Sequence, residues 1–518
     1  MRAESVVNKW MITVTVMTGT VLSALDASIV NVALPYMRGN LGASVEEITW
    51  VATGYMLSNV ITMPLVALLS SRFGRKRFYV LSVILFTVSS ILCGTARHLT
   101  SLVVFRVIQG IGGGALIPIA QAILRETFPL EEQGMAMGIY GLGVVMGPAF
   151  GPTLGGWLTD HYSWPWIFYV NVPIGVINLL LVSRYIQDPP YLARERGRID
   201  WLGVGLLAVG LGALQIMLER GEQKDWFSSI FIVYLAVIAT MGMLLFVWRE
   251  LVAERPAVDL RILKNVTFAT GTAIGAVLGM GLYGTLFLMP LLLEQLLSYP
   301  AFDAGLALMP RSLAMAVTMP LAGSLYNRAG PRLLIGLGLA VSALSFWELS
   351  RLSLEVAFKD IVLPQFIQGV GFGMIFVSLS TVALSAIEKP RMQAATGLYN
   401  VVRLIFGSVG IAVFATQLEK GGQGYRAILV EHITAYRDTA AESLSALSRL
   451  TLSRGADLAT AREQALGLLS GEVTRQALML SYNRVFFLVA CLFVVSAPLI
   501  VLLRRVKTTG AVGHAIVE

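Results

Sequence analysis

An all-α membrane protein that crosses the bilayer many times is the fold class this sequence predicts, and three observations carry the prediction. Only 14% of its 518 residues are charged, while 56% are hydrophobic; soluble globular chains carry about 25% charged residues. Mean hydropathy is +0.73, more apolar surface than a water-soluble chain of this size can bury. Third, apolar stretches of about 18 residues or more recur from end to end, each long enough to cross a ~30 Å hydrocarbon core as a helix.

Reading apolar runs between polar breaks gives 14 spans. The first, 10–36, stops at Arg38; it is too long for a signal peptide and lacks a small-residue cleavage pattern, so it reads as mature structure. Spans 46–70 and 78–96 flank the basic turn Arg72, Arg75, Lys76 and Arg77. Span 99–124 ends at Arg125-Glu126, and 134–159 ends at Asp160-His161. Span 165–184 is followed by Arg194, Arg196 and Arg198. Spans 201–218 and 227–248 close at Glu219-Arg220 and Arg249-Glu250. Span 266–293 lies between Lys264 and Glu294; 303–326 and 332–350 are bounded by Arg328 and Arg351. Span 361–387 meets Glu388-Lys389, 393–417 meets Glu419-Lys420, and 484–503 meets Arg504, Arg505 and Lys507. With the N-terminus inside, the inner segments hold more than half of the 39 Lys and Arg, so both termini are expected in the cytoplasm. The net charge of +8 is thereby a topology signal and needs no nucleic-acid partner.

Other classes lose support. Cys93 and Cys491 fall inside apolar runs without paired spacing, and His98, His161, His432 and His514 are scattered, so no disulfide framework or metal site is expected. No phosphate loop of the G-x-x-x-x-G-K-[ST] type occurs, and no cofactor is expected beyond a proton gradient. Gly110-Ile111-Gly112-Gly113-Gly114 lies in an apolar helix with no preceding strand, so it does not read as a dinucleotide site.

The chain repeats itself. Pro64-Leu65, Leu69, Arg72 and Gly74 recur as Pro320-Leu321, Leu325, Arg328 and Gly330; Gln109-Gly110, Gly112 and Gly114 recur as Gln368-Gly369, Gly371 and Gly373; Gly138 and Tyr140 recur as Gly397 and Tyr399. The order and the near-constant offset of 256 to 259 predict two six-span halves, 1–187 and 266–518, in the same orientation. Residues 188–265 form an insert of two spans. Such repeats place a substrate site near the midplane between the halves.

Four motifs then carry a family resemblance. Span 1 holds Leu25-Asp26-Ala27-Ser28-Ile29-Val30-Asn31-Val32-Ala33-Leu34-Pro35; the turn after span 2 holds Arg72-Phe73-Gly74-Arg75-Lys76-Arg77; span 4 holds Arg106-Val107-Ile108-Gln109-Gly110; span 5 holds Gly147-Pro148-Ala149-Phe150-Gly151-Pro152-Thr153-Leu154-Gly155-Gly156. Together they resemble the 14-span drug:proton antiporters of the major facilitator superfamily, EmrB/QacA-like and most like the EmrB type. The resemblance implies the major facilitator fold, two six-helix halves plus two inserted helices. It implies proton-coupled export of small hydrophobic compounds across a bacterial inner membrane, with a periplasmic adaptor and an outer-membrane channel as partners. It also makes the span 5 glycines and prolines an antiporter motif that seals a hinge between the halves. The turn motif departs from the family pattern at Ala67 and Ser71, where Gly and Asp are usual, leaving its charge lock without that acid.

The residues support roles of their own. Asp26 sits deep in span 1, where a carboxylate costs roughly 2.5–3.5 kcal/mol to insert. Burial favours its neutral form and a nearby cation its charged form, so it can bind and release a proton. Arg106, deep in span 4, is the cation at similar depth, and its repeat counterpart is Gln365, so proton handling is expected in the first half. Either residue could instead be a structural ion pair or an anchor for helix packing. Gly147, Gly151 and Gly155 recur every fourth residue as a smooth packing stripe, loosened by Pro148 and Pro152. Glu294 is a further candidate for proton coupling. Asn31, Tyr55, Gln109, Tyr283, Gln365, Gln368, Tyr399, Asn400 and Arg403 are expected to line an adaptable cavity for neutral or weakly acidic hydrophobic molecules.

The segment 418–483 is the one long polar outer piece. Leu466, Leu469, Val473, Ala477 and Leu480 recur at helical spacing, which predicts an amphipathic cap or docking surface. The competing functions are a proton-coupled nutrient symporter, which the span 5 motif opposes, and a non-transporting membrane sensor. An enzyme is not expected, because no nucleophile–base pattern or metal cluster occurs.

Overall fold

A computed structural model describes residues 8–189, 199–433, 437–453 and 455–503. Arg194, Arg196, Arg198, Arg504, Arg505, Lys507 and His514 lie outside the described residues. Among the described residues every regular element is a helix, and 14 helices are long and apolar enough to span a membrane. They are α1 Lys9–Leu41, α2 Val45–Phe73, α3 Arg75–Thr95, α4 Leu99–Thr127, α5 Gln133–His161, α6 Trp166–Tyr185, α7 Trp201–Arg220, α8 Ile230–Val252, α9 Val266–Leu296, α10 Phe302–Ala329, α11 Pro331–Leu349, α12 Phe358–Ser385, α13 Lys389–Glu431 and α14 Leu458–Leu502. Number and order agree with the expected spans.

The sequence repeat is a repeat of packing. A Cβ on Gly110 of α4 would meet the Tyr55 carbonyl oxygen of α2 at 2.4 Å; one on Gly369 of α12 would meet the Arg311 carbonyl oxygen of α10 at 2.3 Å. Two residues on and on another face, Gly112 faces the Ser82 carbonyl of α3 at 2.7 Å, as Gly371 faces that of Gly338 in α11 at 2.9 Å. Glycine is required at these positions because the helices touch backbone to backbone. The turns repeat as well. Gly74 and Gly330 hold φ of 86° and 80°, a region glycine enters without steric cost. Lys76 Nζ then donates to the Ser183 carbonyl near the end of α6, as Arg332 Nε donates to that of Leu503 at the end of α14.

The halves meet through the third repeat block. A Cβ on Gly138 of α5 would lie 2.7 Å from the Met319 carbonyl oxygen and 3.1 Å from Pro320 Cα of α10. Gly397 of α13 meets Met63 and Pro64 of α2 in the same way, at 2.6 and 3.5 Å. Gly134 and Gly323 face each other nearer the end where α1 begins. The seam is therefore closed on the side of the chain termini. The inserted α7 and α8 pack on each other through Gly210 and Gly242, and α7 lies across the seam. Arg220 donates to Glu46 O and Thr49 Oγ1 of α2, while Gln215 donates to Ser408 Oγ of α13.

The segment 418–483, expected as an amphipathic cap or docking surface, is largely helical among the described residues. The helix Met392–Glu431 has 40 residues and Leu458–Ser496 has 39; at 1.5 Å per residue each is about 60 Å long, twice the ~30 Å core. The segment is thus mainly the continuation of α13 and α14 past the bilayer, joined to the helix Asp438–Ser453. Gly421 and Gly422 make the continuation possible, because Ser481 and Leu478 of α14 occupy the space a side chain would need.

Candidate functional site

Asp26 and Arg106 meet in the interior of the first half. The Asp26 side chain is 0% exposed and that of Arg106 is 1% exposed, and Arg106 Nη1 donates to Asp26 Oδ2 at 2.6 Å. Two further donors converge on Oδ1: Gln109 Nε2 at 3.0 Å and Asn171 Nδ2 at 2.8 Å. Both amides also donate to Ser90 Oγ, which itself donates to the Phe168 carbonyl. The guanidinium is held from its other sides. Its Nε donates to Val51 O, its Nη1 to Gln109 Oε1 at 2.7 Å, and it lies 4.2 Å over the Tyr55 ring.

Local sequence explains the convergence. Arg106 and Gln109 are three apart on α4 and share a face. The Gly147, Gly151 and Gly155 stripe of α5 lets α1 approach closely, the would-be Cβ atoms meeting Ala24 O at 2.1 Å, Ser28 Oγ at 1.8 Å and Ile29 O at 2.9 Å. Asn171 opens the helix Asn171–Tyr185 after a break from Trp166–Tyr169, and Pro173 is tolerated in that first turn. Sequence alone does not single out Asn171 and Ser90; a polar residue in the apolar run Val170-Asn171-Val172-Pro173 is the available signal.

Several expectations about placement change. Gln109 and Tyr55 take part in the charge network, Gln109 through Asp26 and Arg106 and Tyr55 through its ring beneath the guanidinium. The span 5 stripe lies against α1 of its own half; contact with the other half comes from Gly134, Gly138 and Gly141 lower in α5. Gly156 stands apart, its would-be Cβ no nearer than 3.9 Å to Val32. Pro148 is half-buried and Pro152 exposed. Glu294 is exposed in the π-helical turn Leu291–Leu296 that ends α9, in the other half from Asp26. Asn31 is exposed on α1. In the turn motif, Gly74 makes the turn and Arg75 supplies the lock by another route, holding Glu126 at the end of α4 with two bonds of 2.5 and 3.0 Å. Arg72 lines a cleft of about 360 Å³ at the termini side with Glu254, Asp259 and Arg391.

The remaining candidates gather at the seam and in the second half. Tyr399 is buried with its ring against Gly275, and Tyr283 packs on Gly407. Asn400 Nδ2 crosses from α13 to Gln121 Oε1 of α4 at 2.6 Å, while Asn400 Oδ1 accepts from Arg403 Nη2 at 2.8 Å. Gln365 and Gln368 are fully buried, and none of their side-chain polar atoms has a hydrogen-bond partner among the described residues.

A carboxylate held this way can do one thing chemically. Protonating it would remove the charge that Arg106 pairs with, so proton binding and the ion pair compete. Both groups are out of water, where losing one partner of such a pair costs about 3–5 kcal/mol. A change of protonation therefore changes which helix contacts are favourable.

Comparison with known proteins agrees with this architecture. The model of the Major Facilitator Superfamily matches residues 16–411. The fatty acid resistance protein FarB of Neisseria gonorrhoeae is 35% identical over 95% of this chain and 96% of its own length. The multidrug export protein EmrB of Escherichia coli (strain K12) is 34% identical over 94% of each chain. Among solved structures, the proton:xylose symporter XylE superposes over 95% of this chain and 94% of its own with a TM-score of 0.60 at 14% identity, a likeness of fold. Fourteen apolar helices, a duplicated six-helix packing and relatives matched along nearly their whole length lead to one assignment: this chain belongs to the Major Facilitator Superfamily of membrane transporters.

Proposed function

We propose that the protein is a proton-coupled antiporter that exports small hydrophobic, drug-like compounds from a bacterial cytoplasm across the inner membrane, with both termini cytoplasmic. The observation that carries this reading is the Asp26–Arg106–Gln109–Asn171 network, one titratable acid buried against a cation that cannot titrate. Whole-length similarity to a multidrug exporter and a fatty acid resistance protein supports the direction of transport and the drug-like class. Neutral or weakly acidic compounds suit the spans better than dications, because Asp26 is already engaged by Arg106 while Arg403 has no acid against it among the described residues. The 39- and 40-residue helices that outrun the bilayer support a periplasmic adaptor and, through it, an outer-membrane channel as partners.

The test begins with an accumulation assay over a diverse compound panel, with and without a protonophore. The best substrate is then added to detergent-purified protein and to proteoliposomes. Exchange moves protons opposite to substrate, cotransport moves them with it, and a sensor moves none. Asp26→Asn is expected to keep insertion but lose substrate-induced proton release and uphill transport, with Asp26→Glu keeping part of both. Equal release from wild type and Asp26→Asn would place the coupling group elsewhere, with Glu294 next in line.

A further inference from the structure

We infer that the seam between the halves carries a carboxylate-binding subsite centred on Arg403, so that the substrates include amphiphilic monoanions held by their acid group. The inference rests on the transport reading above and adds a recognition chemistry to it. Arg403 of α13 is 5% exposed. Among the described residues no carboxylate lies within ion-pair distance of it. Its Nη2 donates to Asn400 Oδ1, its Nη1 is buried with no partner, and its faces rest 4.8 Å from the Phe376 ring and 5.8 Å from the Tyr399 ring.

The groups around it are unusual in kind. The hydroxyls of Tyr140 on α5 and Tyr399 on α13 lie beside the guanidinium, loosely placed to accept from it, and both are buried with no other hydrogen-bond partner among the described residues, so their own protons stay unengaged. Gln121 of α4 accepts from Asn400 through Oε1, while its Nε2 is buried and unpartnered. Every unengaged group in this cluster can donate: one guanidinium nitrogen, one amide nitrogen and two phenols. The acceptors Asn400 Oδ1 and Gln121 Oε1 are already in use. Buried polar groups are normally paired, and an unpaired set this concentrated needs a physical reason. A set of donors around a buried cation is completed by a group that only accepts and carries one negative charge, and a carboxylate is such a group.

The repeat shows how the cluster arises. Tyr140 and Tyr399 occupy equivalent positions of the two halves, so the closed seam brings their hydroxyls to one place. Arg403 breaks the symmetry, since Val144 stands at its counterpart. Tyr140 and Phe376 stack at 6.2 Å, giving an apolar wall for the rest of an amphiphile. Arg106 offers no rival site, because Asp26 occupies it.

The experiment measures equilibrium binding to the full chain in neutral detergent at low ionic strength, with 4-butylbenzoate, 4-butylbenzenesulfonate and 4-butylbenzyl alcohol as probes. The benzoate is expected to bind more tightly than the alcohol. Arg403→Gln should weaken benzoate by about 10- to 100-fold, the range for hydrogen bonds to charged groups, and leave the alcohol within about twofold. Arg403→Lys should restore part of the loss. Tyr140→Phe and Tyr399→Phe keep both rings and the fold, and each should weaken the benzoate alone, by several-fold. If sulfonate is held as well as benzoate and responds alike to Arg403→Gln, the site reads charge without carboxylate geometry and the inference as stated fails. Equal affinity for acid and alcohol, or benzoate binding indifferent to all four variants, also overturns it. Binding is read without proton movement, so loss of the antiport reading leaves this result standing, and the reverse.

Discussion

Gly138→Ala should act as a wedge in the seam. The added methyl would sit 2.7 Å from the Met319 carbonyl oxygen and 3.1 Å from Pro320 Cα. Both are backbone atoms that cannot swing aside, and ordinary carbon contacts lie near 3.5 Å, so α5 and α10 must part by about 0.8 Å. Overpacking of this kind costs about 1–3 kcal/mol. Because the cost falls only on the state with the termini side closed, it shifts that state against the open one by about 5- to 150-fold. The assay uses Thr396→Cys, a buried seam position on α13, in a background without Cys93 and Cys491. Labelling from the termini side should rise by that factor in Gly138→Ala. Gly305→Ala is the control, because a Cβ there meets nothing within 4 Å. Labelling that is unchanged in Gly138→Ala, or raised equally in Gly305→Ala, would refute the wedge argument.

Three further outcomes are expected. Arg75→Ala should lower thermal stability in detergent, by at most the roughly 3–5 kcal/mol that breaking a buried ion pair costs, and Arg75→Met with Glu126→Leu should recover much of it; a double variant no better than the single one would remove the pair from the argument. At the far side, Glu222 shares a hydrogen bond with Glu419 of α13, and that contact pushes the Glu222 carboxyl up to about 7. A raised carboxyl contributes fully below its ordinary value of 4.5 and progressively loses its effect as pH rises through about 7, so the protection of the turn 221–229 against hydrogen exchange, taken relative to the intrinsic base-catalysed rate at each pH, should fall between about pH 6 and pH 8 in wild type but not in Glu222→Gln. Deleting residues 440–475 should abolish resistance in cells while transport in liposomes persists; unchanged resistance would make the projecting helices dispensable.

What could be read from sequence follows the range of the physics involved. Spans were legible because few structures other than a membrane-crossing helix need an apolar run of bilayer length, and the Asp26–Arg106 pairing because a buried charge demands a partner at similar depth. The spacing of Gln109 from Arg106 puts the two on one face, and the structure joins both to Asp26. Asn171 was hidden by its apolar neighbours, and its role depends on a helix break that no composition signal marks. The Asn400–Gln121 bridge joins residues 279 apart, a pairing only the closed seam defines. The continuation of α13 past Lys420 ran against propensity, since Gly421, Gly422 and Gly424 disfavour helix; packing on Ser481 and Leu478 overrides that preference. Glu294 closes the outer end of its span in the sequence, and the structure leaves it there, exposed in the turn that ends α9.

The position of α5 gives the last expectation. One end of this helix bears on the second half through Gly134, Gly138 and Gly141, and Tyr140 stands beside Arg403. Its other end bears on α1 through Gly147, Gly151 and Gly155, either side of the turn that carries Asp26. Ser28 Oγ donates to the Gly147 carbonyl at 2.6 Å, fixing the two helices in register. On the proposed role of Asp26, a shift of α1 on proton uptake would reach the seam through one helix with little slack. A physical coupling path needs an element that both sites bias, and α5 touches both. Gly151→Ala tests it, since the new methyl would fall 1.8 Å from Ser28 Oγ and 3.2 Å from Ile29 N: the hydroxyl can rotate away, but the α1 backbone must yield. With its proton site and seam residues intact, the variant should still bind substrate and release protons, yet move fewer substrate molecules per proton and leak protons without substrate. Proteoliposomes under an imposed pH gradient measure both quantities. A wild-type ratio with no leak would show that the stripe only packs helices and that the coupling runs through another element.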